Sequence, residues 1–301
     1  MLTVSDVVFS FSSRHLPAAS AEPGEAVRFV TKDCFGGLVD YDEEPMTTLD
    51  SDQINPATGP VFLLGAEPGD VLVAEILSVD VEDRGLVCTA PGSGPLSDGS
   101  RQCRRVVGIR RGRGEFNGLS FPVRPMVGVI GVAPGEGEVF CGYPGPHGGN
   151  LDCRLMAAGA RAFFPVRVPG GLFQLGDLHA AMGDGELGGS GIETGGEVVA
   201  RLGLVKRFSL AWPVLEAGGR VYTLASGREF GGVQRECARQ MQRLISGAWG
   251  WEGEDAALYL AIRGDVEVCQ SCTPGEFDMV LRVGIPMEAG MAPLVPFRWD
   301  A

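Results

Sequence analysis

The sequence predicts a mainly β or α+β fold with few helices. Glycine accounts for 46 of the 301 residues, about twice the usual ~7%, and there are 20 prolines. This composition favours many turns and short strands over long helices. Apolar and polar residues alternate in many short runs, and only two stretches, both in the last quarter of the chain, have a helical period.

The strands are predicted from short apolar or alternating runs that end at glycine and proline clusters. They cover residues 7–11, 26–30, 71–79, 127–132 and 160–168, with further strands near 197–212. A turn is predicted at residues 55–60 and an acidic loop at 40–52. Residues 84–118, which are rich in glycine and arginine, receive no assignment.

Two helices are predicted, over residues 229–245 and 252–262. In the first, Val233, Cys237 and Met241 recur on one face, as in a helix that packs on a core. The chain therefore divides into a mainly β region, 1–225, and an α+β segment, 226–301, packed on it, unless both form one domain.

The charge balance argues against nucleic acid as a partner. The chain has 25 basic and 38 acidic residues, a net charge of −13, and an acidic surface repels a polyanion. The sequence has no run of about 18 apolar residues, so no membrane span is expected. The first residues also lack the basic and apolar regions of a secretory signal.

The eight cysteines are scattered through a large chain. This usage favours reduced, mostly buried thiols and a cytoplasmic protein over a disulfide framework. Cys269 and Cys272 form a single Cys-x-x-Cys pair, which cannot build a tetrahedral zinc site without two further ligands. We therefore expect these two cysteines to be structural.

Two of the three histidines lie in the most glycine-punctuated segments, residues 144–152 and 175–186. Asp177 and His179 are two positions apart, so in an extended chain they face the same side of a sheet. His147 comes directly before a Gly-Gly pair, and Asp33 lies shortly before another, Gly36-Gly37. Imidazole and carboxylate together suit a borderline cation such as zinc, so we expect Asp33, His147, Asp177 and His179 to bind a metal.

Further carboxylates near these segments are candidates for proton transfer. A carboxylate beside a metal can take a proton from water and return it to a departing amine, and Glu186 and Glu193 are the two candidates. Asn150, Asp152 and Asp184 fit turn residues, or residues that support the ligands or the substrate.

Four segments resemble the acetamidase/formamidase family in their residues, order and spacing. They are Asn55-Pro-Ala-Thr-Gly-Pro60, Gly65-Ala-Glu-Pro-Gly-Asp-Val71, Gly145-Pro-His-Gly-Gly-Asn-Leu-Asp152 and Leu175-Gly-Asp-Leu-His-Ala-Ala-Met-Gly-Asp-Gly-Glu186. The resemblance implies a β-sandwich-like part with a smaller α/β roll, and often a homodimer. It also implies hydrolysis of a short amide to carboxylate and ammonia, with a related branch that acts on a γ-lactam.

The same resemblance implies a bound divalent metal, zinc or calcium. Carried over residue by residue, it points to Asp33, His147, Asp152, Asp177, His179 and Glu186. Two other readings of the residues stay open. One is a non-catalytic β-sandwich protein that binds a small ligand, and the other is an iron-dependent oxygenase with two histidines and one carboxylate.

Overall fold

The computed structural model describes residues 1–37, 41, 53–89, 91–95, 101–272 and 278–299. The acidic loop predicted over residues 40–52 lies outside these ranges, apart from Tyr41.

The described residues form short strands throughout and two helices near the C-terminus. The first strands are β1 (Leu2–Val4), β2 (Val7–Val8), β3 (Ser10–Ser12), β4 (Ala19–Ala21), β5 (Ala26–Thr31), β6 (Ala57–Leu63), β7 (Val71–Val81), β8 (Arg84–Thr89), β9 (Cys103–Arg110), β10 (Arg113–Phe116), β11 (Leu119–Pro122) and β12 (Met126–Gly131). They are followed by β13 (Glu138–Phe140), β14 (Pro144–Gly145), β15 (Gly148–Asn150), β16 (Arg161–Pro165), β17 (Phe173–His179), β18 (Glu193–Thr194), β19 (Gly196–Val205), β20 (Val214–Ala217), β21 (Arg220–Gly227), α1 (Phe230–Trp249), α2 (Gly253–Arg263), β22 (Asp265–Gln270) and β23 (Met279–Pro286).

Most strands belong to two large sheets. The first sheet has the order β1-β5-β19-β7-β16-β20-β21-β23-β22, and its strands come from both ends of the chain. The second sheet follows the path β11-β10-β9-β8-β18-β17-β12-β15-β14, and β6 adds to it through β17. Because sequence-distant strands are neighbours, residues far apart in the chain can meet at one place in the second sheet.

The two sheets pack face to face around one apolar core. Phe29 and Ile76 of the first sheet are fully buried in the same cluster as Phe173 and Leu178 of the second. The rings of Phe29 and Phe173 meet edge to face across the interface, with centroids 5.7 Å apart. Burying each such side chain stabilises the fold by about 1.5–3 kcal/mol, so this interface fixes the relative position of the sheets.

The helices cover the opposite face of the first sheet. Cys237 and Met241 of α1 are fully buried in one cluster with Val73 and Phe163 of that sheet. Helix α1 ends at Gly250, whose φ of 69° is the left-handed conformation that glycine adopts without strain. The mainly β fold with few helices, both near the C-terminus, is confirmed.

Some predicted boundaries are corrected by the structure. Residues 84–118, which had no assignment, contain β8, β9 and β10, and part of the predicted turn at 55–60 begins strand β6. The predicted boundary after residue 225 falls inside β21, which pairs with β23 from Arg220 to Gly227. The region and the segment therefore share a sheet.

In the described part of the chain, neither helix combines the length and the apolar character that crossing a bilayer requires.

Candidate active site

The site forms where strands β12, β17 and β18 meet in the second sheet. His179, the last residue of β17, lies directly opposite Glu193 of β18 and on its other side opposite Met126 of β12. Asp177 precedes His179 by two positions on the same strand. Asp152 joins them because its backbone N–H bonds to the carbonyl of Gly128 in β12, at 3.2 Å.

Gly128 makes this convergence sterically possible. A Cβ atom at that position would lie 2.6 Å from Oδ1 of Asp152 and 2.9 Å from Oδ2 of Asp177. Real Cβ atoms essentially never lie within 3.0 Å of such atoms. A glycine is therefore needed for the two carboxylates to approach each other over β12.

The imidazole of His179 faces three carboxylates. Its Nε2 lies 3.2 Å from Oε2 of Glu193, 3.7 Å from Oδ1 of Asp177 and 3.8 Å from Oδ1 of Asp152. We call these four atoms the ligand nest. In a four-coordinate zinc site with bonds of about 2.0–2.2 Å, neighbouring ligand atoms lie about 3.3–3.6 Å apart. The three separations from Nε2, between 3.2 and 3.8 Å, are close to that range.

The oxygens of the nest have no hydrogen-bond partner. Oδ1 of Asp152, Oδ1 of Asp177 and Oε2 of Glu193 are buried, and none accepts a hydrogen bond. Buried polar atoms are nearly always paired, and an unpaired one costs about 1–3 kcal/mol or more if charged. Three unpaired oxygens around one nitrogen indicate a place built for a positively charged ligand.

Backbone strain is concentrated at the same residues. Asp152, Asp177 and Glu186 have positive φ angles of 38°, 55° and 46°. Non-glycine residues in this region cost about 1–3 kcal/mol each, and they cluster at functional sites. The strained backbone aims these three carboxylates into one pocket.

The pocket holds more negative charge than the protein itself neutralises. Burial raises the pKa of Asp152 and of Glu193. Burial alone would lower the pKa of His179, but the adjacent Glu193 and Asp177 carboxylates raise it well above its usual value. One imidazolium still could not balance the carboxylates of Asp152, Asp177, Glu186 and Glu193, so a further cation is needed for all of them to ionise.

Glu186 stands beside the nest and has a protonation equilibrium near neutral pH. Burial raises its pKa to about 7, with the negative charge of Glu193 adding to the effect. Its Oε2 accepts a hydrogen bond from the thiol of Cys272 at 2.8 Å. A carboxyl group with a pKa near the working pH is suited to take up and release a proton.

These groups open into a cavity of about 320 Å³. The described residues that line it include no lysine or arginine. They are Cys34, Phe35, Ile54, Asn55, Cys88, Ser93, Gly142, Pro144, Asn150, Asp152, Asp177, His179, Glu186, Gly189, Ser190, Glu193, Gln270, Cys272 and Asp278. The cavity thus combines an acidic floor with apolar and thiol-bearing walls.

His147 lies away from this cluster. Its carbonyl accepts a hydrogen bond from the N–H of Val132, the residue directly after the far end of β12. His179 is paired with Met126, six positions from Val132 and about 20 Å away along an extended strand. The predicted meeting of the two imidazoles does not occur, because the glycine turn delivers His147 to the wrong end of the strand.

The surroundings of His147 are apolar. Its ring packs edge to face against Phe11, with centroids 4.8 Å apart, and its Nε2 is buried without a partner. Burial lowers its pKa to about 4, helped by the charge of Arg167. Such an imidazole is neutral at pH 7.

Asp33 lies close to the site, but its oxygens are already paired. Oδ1 accepts hydrogen bonds from the N–H groups of Phe35 (3.1 Å) and Gly37 (2.8 Å), and Oδ2 accepts one from the hydroxyl of Tyr41 (2.6 Å). The carboxylate therefore shapes the loop that carries Cys34, and the structure does not bring it into the nest.

The remaining predicted residues separate into two environments. Asn150 lines the cavity, and its side-chain oxygen accepts a long bond of 3.4 Å from Asn55. Asp184 instead forms a two-pronged ion pair with Arg282, at 3.0 and 2.9 Å. Asp184 thus anchors the loop before Glu186 and does not face the nest.

Sequence reasoning missed the two thiols in the site. Cys34 lies in the cavity wall directly after Asp33, and Cys272 contacts Glu186. The sequence indicated them only weakly, because neither cysteine belongs to a set of metal ligands at a fixed spacing. Only the pairing of distant segments shows where they point.

Comparison with known proteins assigns the chain to a family. The model of the acetamidase/formamidase family matches residues 14–139 and 143–222. The chain belongs to the acetamidase/formamidase family. The match covers every residue of the nest and Glu186, and the resemblance read from the four sequence segments is confirmed.

Solved structures of family members share the whole architecture. A predicted acetamidase/formamidase from Thermoanaerobacter tengcongensis is 37% identical, with 95% of each chain covered and a TM-score of 0.91. An acetamidase from Bacillus halodurans is 33% identical, with 95% of this chain and 97% of that chain covered and a TM-score of 0.90.

A putative formamidase from Schizosaccharomyces pombe is 29% identical over 252 residues, which cover 63% of this chain. The chain spans 62–65% of the length of the curated relatives it matches. The activities of these longer relatives are therefore only proposed for this chain.

Proposed function

We propose that the protein hydrolyses a short-chain amide to a carboxylate and ammonia with the help of a divalent cation. The observation that carries this proposal is the nest, in which three unpaired buried oxygens surround Nε2 of His179. The family match supports the same reaction class, because the names of its members refer to the amides formamide and acetamide.

The nest favours zinc over calcium. Calcium takes six to eight oxygen ligands in a flexible shell, whereas zinc accepts imidazole nitrogen and single carboxylate oxygens in a small tetrahedral one. Asp152, Asp177, His179 and Glu193 supply one nitrogen and three oxygens. In this proposal Glu193, one of the two candidates for proton transfer, is a ligand.

A divalent cation, when bound, polarises a carbonyl group and lowers the pKa of water. The protein's own groups supply the rest of the chemistry. Glu186, whose carboxyl group lines the cavity beside the nest, takes a proton from the attacking water and gives it to the departing nitrogen. The thiol of Cys272 holds Oε2, which leaves Oε1 as the atom that exchanges the proton.

The cavity walls orient the substrate. Asn150 presents a side-chain amide at the mouth of the site, where it can bond to the amide group of a substrate. Phe35 and Ile54 provide apolar contacts for an acyl chain. A volume of about 320 Å³ leaves room for amides larger than formamide, so small aliphatic amides and lactams belong in the same assay panel.

The test combines metal content with product formation. Purified protein should retain zinc and release ammonia from formamide or acetamide, and His179→Ala should lose both zinc and activity. The control is Asp278→Asn, which changes a charge in the cavity wall away from the nest. If the protein retains no metal and turns over no amide or γ-lactam in the panel, the alternative of a non-catalytic binding protein takes over. Bound iron with oxygen consumption would support the oxygenase.

The homodimer and the cytoplasmic location stay predictions. The homodimer follows from the family resemblance, and the cytoplasmic location follows from the cysteine usage. Each can be measured directly. Mass measured by light scattering gives the first, and cell fractionation gives the second.

A further inference from the structure

Cys34 places a sulfur atom beside two oxygens of the nest. Its Sγ and one ligand atom each from Asp177 and Glu193 lie within 4.8 Å of one another, and all three residues are buried. A second group, formed by Asp152, His179 and Glu186, meets the same criterion. All six residues line the same cavity.

The position of Cys34 is fixed by its loop. The turn that Asp33 caps sets the backbone on either side of Cys34. The carbonyl of Cys34 accepts a bond from the N–H of Asn55 at 2.7 Å. Sγ of Cys34 lies within 4.8 Å of a carboxylate oxygen of Glu193, so the loop aims a sulfur ligand at the acidic cluster.

Charge counting leaves room for more than one cation. A single divalent ion would balance two of the four carboxylates of Asp152, Asp177, Glu186 and Glu193, which are almost fully buried. Among the described residues of the cavity wall no lysine or arginine supplies the remaining positive charge. Carboxylates that bridge two metal ions about 3.5–4 Å apart are a recurrent solution in hydrolytic enzymes.

We propose that Cys34, Asp177 and Glu193 form a second cation position, which shares Asp177 and Glu193 with the nest. The inference rests on the proposed function, because the two shared carboxylates bind the first cation. A sulfur ligand beside carboxylates selects a borderline, thiophilic divalent cation of the zinc class and excludes magnesium and calcium. The thiol gives its proton to solvent as the sulfur–metal bond forms.

Cobalt(II) tests this position with a readout that is independent of activity. The metal-free full chain is titrated with Co²⁺, bound metal is counted by equilibrium dialysis, and the near-ultraviolet spectrum is recorded. We expect two Co²⁺ per chain and a thiolate-to-cobalt charge-transfer band that grows with the second equivalent.

Two variants assign the band. Cys34→Ser keeps a hydroxyl that can donate to Glu193, but it should bind one Co²⁺ and show no band. Cys88→Ser is the matched control, since Cys88 lines the same cavity without joining either group. It should keep both cations and the band. Circular dichroism checks that each variant is folded, and the measurement on the unmutated chain does not depend on that check.

The outcomes separate the second position from the first. One bound Co²⁺ without a band in the unmutated chain overturns the second position and leaves the proposed function standing. A band that persists in Cys34→Ser overturns the assignment to Cys34. If the unmutated chain binds no Co²⁺, both the inference and the metal-dependent function fail.

Discussion

Two clusters of charged side chains lie close together in this protein, and they differ in how their charges are paired. In the cluster around Arg282, the fully buried guanidinium forms two hydrogen bonds to Asp184 and one of 2.6 Å to Glu267. In the nest, the three oxygens that face His179 have no hydrogen-bond partner. The first cluster is complete without a ligand, and the second is not.

Charge pairing therefore distinguishes the cluster that stabilises the structure from the cluster that is suited to bind a ligand. One loop touches both clusters, because Asp184 pairs with Arg282, and Glu186, two residues later, lies beside Asp152 and His179 of the nest. Paired charges fix the loop, and the unpaired ones leave a place for a cation and a substrate.

Glu186→Gln should have the largest effect on the reaction. The amide has the shape of the carboxylate but cannot carry a proton, so kcat should fall by about 10²–10⁴-fold. Zinc should be retained, since all four atoms of the nest are present in the variant. Steady-state ammonia release and metal analysis on one preparation measure both. If the variant loses zinc as His179→Ala does, then Glu186 is a ligand and its assigned role is wrong.

The two clusters should respond oppositely to removal of one acid. In metal-free protein, Asp184→Asn should reduce the free energy of unfolding by about 2–3 kcal/mol, less than the 3–5 kcal/mol of a fully broken buried pair because Glu267 still faces Arg282. Asp177→Asn should cause no loss or a gain, because it removes one of several repelling charges. Urea unfolding in a chelator makes the comparison. Equal losses in the two variants would show that the nest is not electrostatically strained.

His147 provides a neutral case for the same comparison. Its pKa is about 4 in the folded protein and 6.5 in the unfolded chain, so the unfolded state binds the proton first as pH falls. The stability it confers is therefore fully present above pH 6.5 and is lost between 6.5 and about 4, by about 3 kcal/mol.

The measurement is the free energy of unfolding at several pH values for the unmutated chain and for His147→Gln, both in a chelator. The slope of the variant should be smaller by up to one proton over that range. Parallel curves would mean that His147 titrates normally and is more exposed than its packing against Phe11 indicates.

The smallest expected effect comes from the thiol that supports Glu186. Cys272→Ala removes one hydrogen bond to Oε2, worth about 0.5–1.5 kcal/mol, and should lower kcat roughly threefold to tenfold. The pH at which kcat is half-maximal should also shift, whereas KM should change little. Cys272→Ser should recover most of the activity. A variant that raises KM alone would assign Cys272 to substrate binding.

Local patterns predicted much of the fold. Helices α1 and α2 agree with their predicted ranges within a few residues at each end, because their apolar residues recur at a helical period. Strand β9 was missed because its sequence lacks a regular apolar alternation: Arg104 is buried, whereas Val106 is exposed. There, pairing with β8 and β10 decides the structure, and that pairing is non-local.

The site was predicted where spacing along one strand was sufficient. Asp177 and His179, two positions apart on β17, both reach the site as predicted, although Asp177 has a left-handed φ of 55° and not the extended backbone that the prediction assumed. The sequence could not indicate that β18 would place Glu193 opposite His179. It also could not indicate beside which end of β12 His147 would lie, because a turn at the two glycines after His147 is compatible with either position.

The central claim is that a cation binds among Nε2 of His179 and the oxygens of Asp152, Asp177 and Glu193. The most direct measurement is a crystal structure of the zinc-loaded protein, with anomalous scattering recorded at the zinc edge. We expect a strong anomalous peak inside the nest. Its absence there, with zinc bound elsewhere, for example at His147, would contradict the account.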